Sequence, residues 1–335
     1  MEESSVQKSV KRLEEVSTGV LGMGPELEAL TFAGLQIVEA REGFLRCNFI
    51  VPMLVADKIG NWEVGAMATL IDVMGGAAIY SLAADHIPVS VDLSISFYST
   101  AKMQEEVEIE ARFVGNRGKL TSVVVEVRMK ENGELVAIGK QWTTSINNSS
   151  QVRKTETEHV LVLLNFPSIF MPGWWHEERR ERPGAEMEES ILEKTVKRLN
   201  DLSKGELGHG LEAITVTAIQ IVEARHGFLR CFFTVPITDK DGNWHAGAVA
   251  TLIDVIGATA VYSLAGYVHV ESYSNCVVKL HWQEEVEIEA KVVGYRGKLP
   301  CVEVDIRRKD NGELIALGRQ WMALHKTSSQ VQSKL

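Results

Sequence analysis

Two aspartates sit in the middle of long apolar runs, where aspartate is rarely found. They are Asp72 in GNWEVGAMATLIDVMGGAAIYSL, starting at Gly60, and Asp254 in GNWHAGAVATLIDVIGATAVYSL, starting at Gly242. A carboxylate in apolar surroundings loses hydration, so it is more basic than in water and suits a general base or a nucleophile. The bland alternative is a structural acid bonded to nearby backbone. The second run also carries His245, nine residues before its acid, where the first has Glu63. Next to His245, the backbone N–H groups of Ala246 and Gly247 would open a helix, with unsatisfied donors and the helix dipole behind them. Donors of that kind, aimed at a carbonyl oxygen, stabilise developing negative charge by about 3–4 kcal/mol each in other systems.

Both runs belong to an internal repeat, which sets the architecture. VKRL, QIVEAR, GFLRC and QEEVEIEA each recur, and ENGELVAIGKQW returns as DNGELIALGRQW. The division is 1–147 for the first unit, 148–187 for a connector, 188–326 for the second unit and 327–335 for a tail. Within a unit, VEIEARFV, SVVVEVRMK and LVAIGKQWTT alternate apolar and polar residues, as half-buried antiparallel strands do. GNRGKL and KENGEL read as tight turns between them. The run from Gly65 to Ala84 is too long for a strand, and Met67, Leu70, Ile71, Met74, Ala78 and Leu82 fall at helical spacing. Small residues Gly75, Gly76 and Ala77 would let a sheet approach that helix closely. The expected unit is α+β: helix, two strands, long helix, four strands, with a curled antiparallel sheet wrapped around the long helix.

Composition narrows the function. The 335 residues carry a formal net charge of −10, which argues against nucleic acid or an anionic membrane as the main partner. The four cysteines are scattered; Cys47 and Cys231 occupy the same repeat position and read as small buried apolar residues. The nine histidines form no ligand grouping, so no metal is expected. The opening MEESSVQKSVKRLEEV is acidic and amphipathic, with no signal-peptide pattern. In the connector, HVLVLLNFPSIFMPGWW is apolar but interrupted by Pro167 and Pro172 and too short to span a bilayer. Ser333-Lys334-Leu335 is the tripeptide read by the peroxisomal import receptor, so a peroxisomal location is expected.

Each unit resembles the hotdog-fold acyl-CoA thioesterases of the phenylacetic-acid-thioesterase-like group. The likeness rests on the G-x-x-x-x-G-x-x-A-T-L-I-D block from Gly60, VSVDLSISFYSTAK from Val89, and GKL followed by the last two strands. The resemblance implies two hotdog domains paired as an intrachain pseudo-dimer, open to further association into homo-oligomers. It also implies active sites across the interface. One partner gives a loop and helix N-terminus, commonly H-G-G preceded by an Asn; the other gives a mid-helix Asp and a Ser on the next strand. Carried over, Asp72 and Asp254 match the helix acid, and His245 matches the histidine. Ser90 matches the serine, while alignment backwards from Gln283 places His269 there in the second unit. Asp57 and Asp239 stand at the Asn position, and Val64 and Ala246 replace the first glycine. The turn residues Arg117, Lys119, Arg296 and Lys298 would meet the phosphates of coenzyme A.

This distribution implies one competent site, of His245, Ala246, Gly247, Asp72 and Ser90, and one degenerate site, of Glu63, Asp254 and His269. Coenzyme A belongs to the substrate, and no separate cofactor is implied. The rival reading is a catalytically impaired acyl-CoA-binding or regulatory hotdog protein. A hydratase is disfavoured because its D-x-N-P-x-H pattern is missing.

Overall fold

Among the described residues the alternating segments form twelve strands, and each apolar run forms a buried helix. In the computed structural model the described residues are 3–18, 31–57, 59–84, 86–147, 185–204, 206, 215–217, 219–235, 244, 246–265, 269–277, 284–297 and 299–323. The first half contains α1 (Ser5–Ser17), β1 (Gln36–Arg41), β2 (Phe44–Ile50), α2 (Val64–Tyr80), β3 (His86–Phe97), β4 (Glu106–Arg117), β5 (Leu120–Met129) and β6 (Leu135–Asn147). The second contains α3 (Ala185–Ser203), β7 (Gln220–Arg225), β8 (Phe228–Thr234), α4 (Ala246–Ala265), β9 (His269–Val277), β10 (Glu285–Arg296), β11 (Leu299–Arg308) and β12 (Leu314–Ala323). That is the expected order of elements, twice. α3 begins inside the stretch expected to be connector. Residues 148–184, with the apolar connector segment, and the tail 327–335 lie outside the described residues.

α2 is apolar on every side, so it must be covered on every side. The sheet supplies that cover: Met67, Leu70, Ile71, Met74 and Ala78 are all buried. Leu82 departs from the helical reading, for α2 ends at Tyr80 and Leu82 is exposed. The Ser81 hydroxyl accepts from Gly43 N and donates to Ala78 O, which ties the helix end to the β1–β2 turn. α1 starts on a capping box of Ser4 and Gln7 and packs on α2, where the Ser9 hydroxyl donates to Ala77 O at 2.8 Å. Cys47 and Cys231 are fully buried, and burial pushes each thiol up to about 12, so both act as apolar filler. Among the described residues no helix is long and apolar enough to cross a membrane.

The strands join in one antiparallel sheet, ordered β1-β2-β4-β5-β6-β3-β9-β12-β11-β10-β8-β7. Its centre is a pseudo-two-fold. Ser94 pairs with Ser274, flanked by Leu93 with Asn275 and Ile95 with Tyr273. Ser94 and Ser274 are the same position of the repeat, since they face Lys140 of GKQW and Arg319 of GRQW on their own last strands. A position paired with itself marks an isologous interface. The two long helices meet across the same axis. Gly65 of α2 lies so close to α4 that a Cβ there would come 2.3 Å from Thr251 Oγ1.

Candidate active site

Asp72 projects from the middle of α2 and is half-buried. The Ser90 hydroxyl donates to Asp72 Oδ1 at 2.6 Å. Behind both sits Gln141 of β6, only 1% exposed. Its Nε2 donates to Asp72 Oδ1 and to Ser90 Oγ, each at 2.6 Å, and lies 3.3 Å from the Asp72 backbone oxygen. Desolvation is therefore only part of this acid's environment. Two donors reach its oxygen, and donors favour the charged form.

A β-bulge makes the serine contact available. Leu93 pairs with Gln141 and Asp92 with Trp142, but Ser90 pairs with Thr143, leaving Val91 as the extra residue. Strict alternation would put Ser90 and Leu93 on opposite faces; the inserted residue turns both toward the helix. Gln141 needs room as well. Gly75 provides it, since a Cβ there would lie 2.1 Å from Gln141 Oε1. Gly76 makes no such approach, its nearest atom being Pro88 Cγ at 3.9 Å. Of the small residues read as sheet-facing, Gly75 has that role and Gly76 does not.

The second half repeats the frame with one change. Gln320 Nε2 donates to Asp254 Oδ1 at 3.0 Å, and Gly257 makes room for it, with a Cβ position 2.3 Å from Gln320 Oε1. The strand bulges at the same place, because Trp321 pairs with Ser272 and Met322 with Val270. By this register Val270, not His269, stands in the place of Ser90, and His269 matches Val89. The sequence alignment erred by one residue because it placed no gap between the strand and Gln283. The register puts the deletion after β9. The inference that this copy lacks the serine stands, with a different residue in its place.

The loop into α2 is internally organised. Asp57 Oδ1 accepts from Ile59 N at 2.9 Å and Asn61 N at 2.8 Å, and Trp62 N donates to Ala101 O. Asp57, at the expected Asn position, thus shapes its own loop. Glu63 is the N-cap residue of α2, only 7% exposed, and its side chain does not cap the helix. Ala246 and Gly247 form the first turn of α4, as expected, while His245 and Asp239 lie outside the described residues.

Arg117 and Lys119 are exposed in the β4–β5 hairpin, where Arg117 pairs with Leu120 and Gly118 takes a φ of 61°. Thr121, just beyond, pairs with Thr143, the partner of Ser90. The hairpin is therefore at the Ser90 end of the sheet, two strands or about 10 Å across. Arg296 is exposed at the matching β10–β11 turn, and Lys298 lies outside the described residues. Glu108 and Glu110 of QEEVEIEA alternate with buried Val107 and Ile109, as a solvated strand face does.

Sequence reasoning missed Gln141 and Gln320. Their signal was a glutamine kept in GKQW and GRQW at a position where strand alternation points into the core.

The Thioesterase superfamily model matches this chain twice, at residues 60–136 and 241–315. Mouse (Mus musculus) acyl-coenzyme A thioesterase 13 is 29% identical over 137 residues, 41% of this chain and 94% of that protein. Two solved structures superpose on both halves together. The tesB protein of Mycobacterium avium subsp. paratuberculosis covers 90% of this chain and 100% of its own, at a TM-score of 0.54 and 10% identity. An acyl-ACP thioesterase from Bacteroides thetaiotaomicron covers 84% and 98%, at a TM-score of 0.51 and 14% identity. Each half holds the matched segment, the wrapped helix and its acid, so the chain is a tandem pair of hotdog domains, each similar to the thioesterase superfamily.

Proposed function

We propose that this thioesterase hydrolyses acyl-CoA to a free carboxylic acid and coenzyme A, in the peroxisome, at one composite site between its two halves. The observation that carries the reading is the Asp72–Ser90 pair, half-buried and held from behind by Gln141. Asp72 acts as general base on a water molecule that Ser90 helps to orient. The hydroxide formed adds to the thioester carbonyl, the C–S bond breaks, and the proton held by Asp72 passes to the coenzyme A thiolate. The oxyanion is met by the N–H groups at the start of α4, with His245 beside them.

The contact of Gly65 with Thr251 supports a site shared between halves. Thr251 lies three residues before Asp254, so the first turn of α2 approaches the α4 surface that bears the second acid. By the pseudo-two-fold, the first turn of α4 approaches Asp72. Only that pairing joins His245 with Asp72 and Ser90; the other joins Glu63 with Asp254 and Val270. Arg117 and Lys119 supply positive charge for the coenzyme A phosphates at the Ser90 end of the sheet.

Release of free thiol from straight-chain and aromatic acyl-CoAs tests the reaction. Turnover of at least one class, lost in Asp72→Asn, is expected; tight binding of every ester without thiol release supports the acyl-CoA-binding alternative instead. Location is tested with an amino-terminal fluorescent fusion. Peroxisomal puncta should become diffuse when Ser333-Lys334-Leu335 is deleted, and a diffuse parent fusion sinks the assignment.

A further inference from the structure

Packing explains why Gly75 is glycine, but it does not explain Gly76. A glycine inside a helix costs stability, yet a Cβ on Gly76 would meet nothing nearer than Pro88 Cγ at 3.9 Å. Its position relative to the acid gives another reason. Gly76 lies one turn beyond Asp72 on the same face of α2, and a helical side chain leans back over the preceding turn. Any side chain there would cover the surface beside Asp72. That surface is open. Along the middle of α2, Asp72, Val73, Gly76 and Ala77 are partly exposed, while Ile71, Met74, Gly75 and Ala78 are buried. In α4 the matching Val255 and Thr259 are buried, and Ala258 stands in place of Gly76.

The facing sheet holds an unspent hydroxyl. Thr143 of β6 is only 1% exposed, and among the described residues its Oγ1 has no hydrogen-bond partner. Thr143 pairs with Ser90, and Pro88 is two residues before Ser90 on β3, so all three face α2. Thr143 is thus a direct neighbour of Ser90 and a diagonal neighbour of Pro88. A buried hydroxyl without a partner is costly. The fold does not require it, because the register puts fully buried Met322 at the same place in the second half, beside Val270. Both differences run the same way. The first half keeps an opening and a hydroxyl, where the second has a methyl group and an apolar side chain.

We propose that Gly76 and Thr143 are specificity-determining residues of the composite site, and that the acyl group it takes carries a hydroxyl on its second or third carbon. The inference rests on the acyl-CoA thioesterase reading above and names the substrate class for it. With the thioester carbonyl beside Asp72, the next carbons of the acyl group lie against Gly76, where the missing side chain makes room for a substituent. Thr143 supplies the partner for that substituent, since a hydroxyl both donates and accepts. A site of this kind rejects the analogue that lacks the group, because its own buried hydroxyl is then left unpaired.

The test compares 2-hydroxyacyl-CoA and 3-hydroxyacyl-CoA with the unsubstituted ester of the same length, read as a ratio of kcat/KM values. The ratio should favour at least one hydroxylated ester by about tenfold or more. Thr143→Val keeps the shape and removes the hydroxyl, and should bring the ratio close to one; Thr143→Ser should retain it. Gly76→Ala should lower the same ratio with Tm unchanged or higher, whereas Ala258→Gly, its counterpart in the second half, should leave the ratio unchanged. A ratio near one in the unmodified chain overturns the proposal. So does a Thr143→Val loss equal for all three esters, which sets the hydroxyl against the attacking water or the coenzyme A arm. If no ester releases thiol, the function proposed above falls, and calorimetric binding of the same esters gives the ratio instead. A preference in binding that Thr143→Val abolishes keeps the role of the two residues, and the absence of one removes it.

Discussion

In the first half, Asp72 is met by a serine hydroxyl and a glutamine amide; in the second, Asp254 is met by the amide, and valine takes the serine's place. What the halves share is the framework. Gly139 and Gly318 each leave space for an isoleucine of the helix, with Cβ positions 2.2 and 2.3 Å from Ile71 and Ile253. Phe49 packs on Trp62 as Phe233 does on Trp244, and Ser81 and Ser263 both fasten the helix end. What differs is the side chain that would touch substrate: Glu63 for His245, Val270 for Ser90. Gln141 and Gln320 fall on the framework side of that division, which fits a residue that positions rather than reacts. Packing has kept both copies intact, while on the proposed reading the reactive groups form one set divided between them.

The sharpest way to break this comparison is to remove each acid in turn. Asp72→Asn should lower thiol release roughly 10³-fold, as loss of a general base does. Asp254→Asn should leave it within about twofold, and equal losses would refute a single working site. Next, the silent side can be rebuilt. In an Asp72→Asn background, Glu63→His with Val270→Ser should restore turnover at least about tenfold above that background; no gain would mean that these two positions are not what silences it.

Smaller effects concern the interface. Gly65→Ala drives a Cβ into Thr251 and should cost about 1–3 kcal/mol, read as a Tm lower by several degrees. Gly76→Ala, with nothing closer than 3.9 Å, should be neutral or stabilise by up to about 1 kcal/mol. The smallest concerns Asp92, which faces Trp142 where the second half has Ser272 facing Trp321. Burial raises the Asp92 pKa, so the folded chain pays for its charge at neutral pH. That cost disappears as the pH falls below the ordinary aspartate range, where folded and unfolded chains are both protonated. Asp92→Asn should therefore raise Tm at pH 7, with the gain shrinking on acidification. A gain independent of pH would argue against a charge effect.

The fold was largely legible because its signals are periodic and written twice: alternation gave the strands, and the apolar run gave the helix. The site was legible where a residue broke a pattern, as Asp72 and Asp254 do. Ser90 was found through a family resemblance, because the bulge that turns it inward leaves no mark in alternation. The bulge also explains the error at His269: counting back from Gln283 assumes a constant register, and the deletion falls beyond the strand. Gln141 was passed over because a polar residue in an alternating strand reads as solvent-facing until the register shows which face it takes.

The most direct test of the central claim, a single site composed from both halves, is the kinetic coupling of His245 to Ser90. His245→Ala and Ser90→Ala should each lower kcat/KM, and the double variant should lose much less than the product of the two, as residues of one site do. Losses that multiply, together with coupling of His245→Ala to Asp254→Asn, would place His245 with the acid of its own half and contradict the composite site.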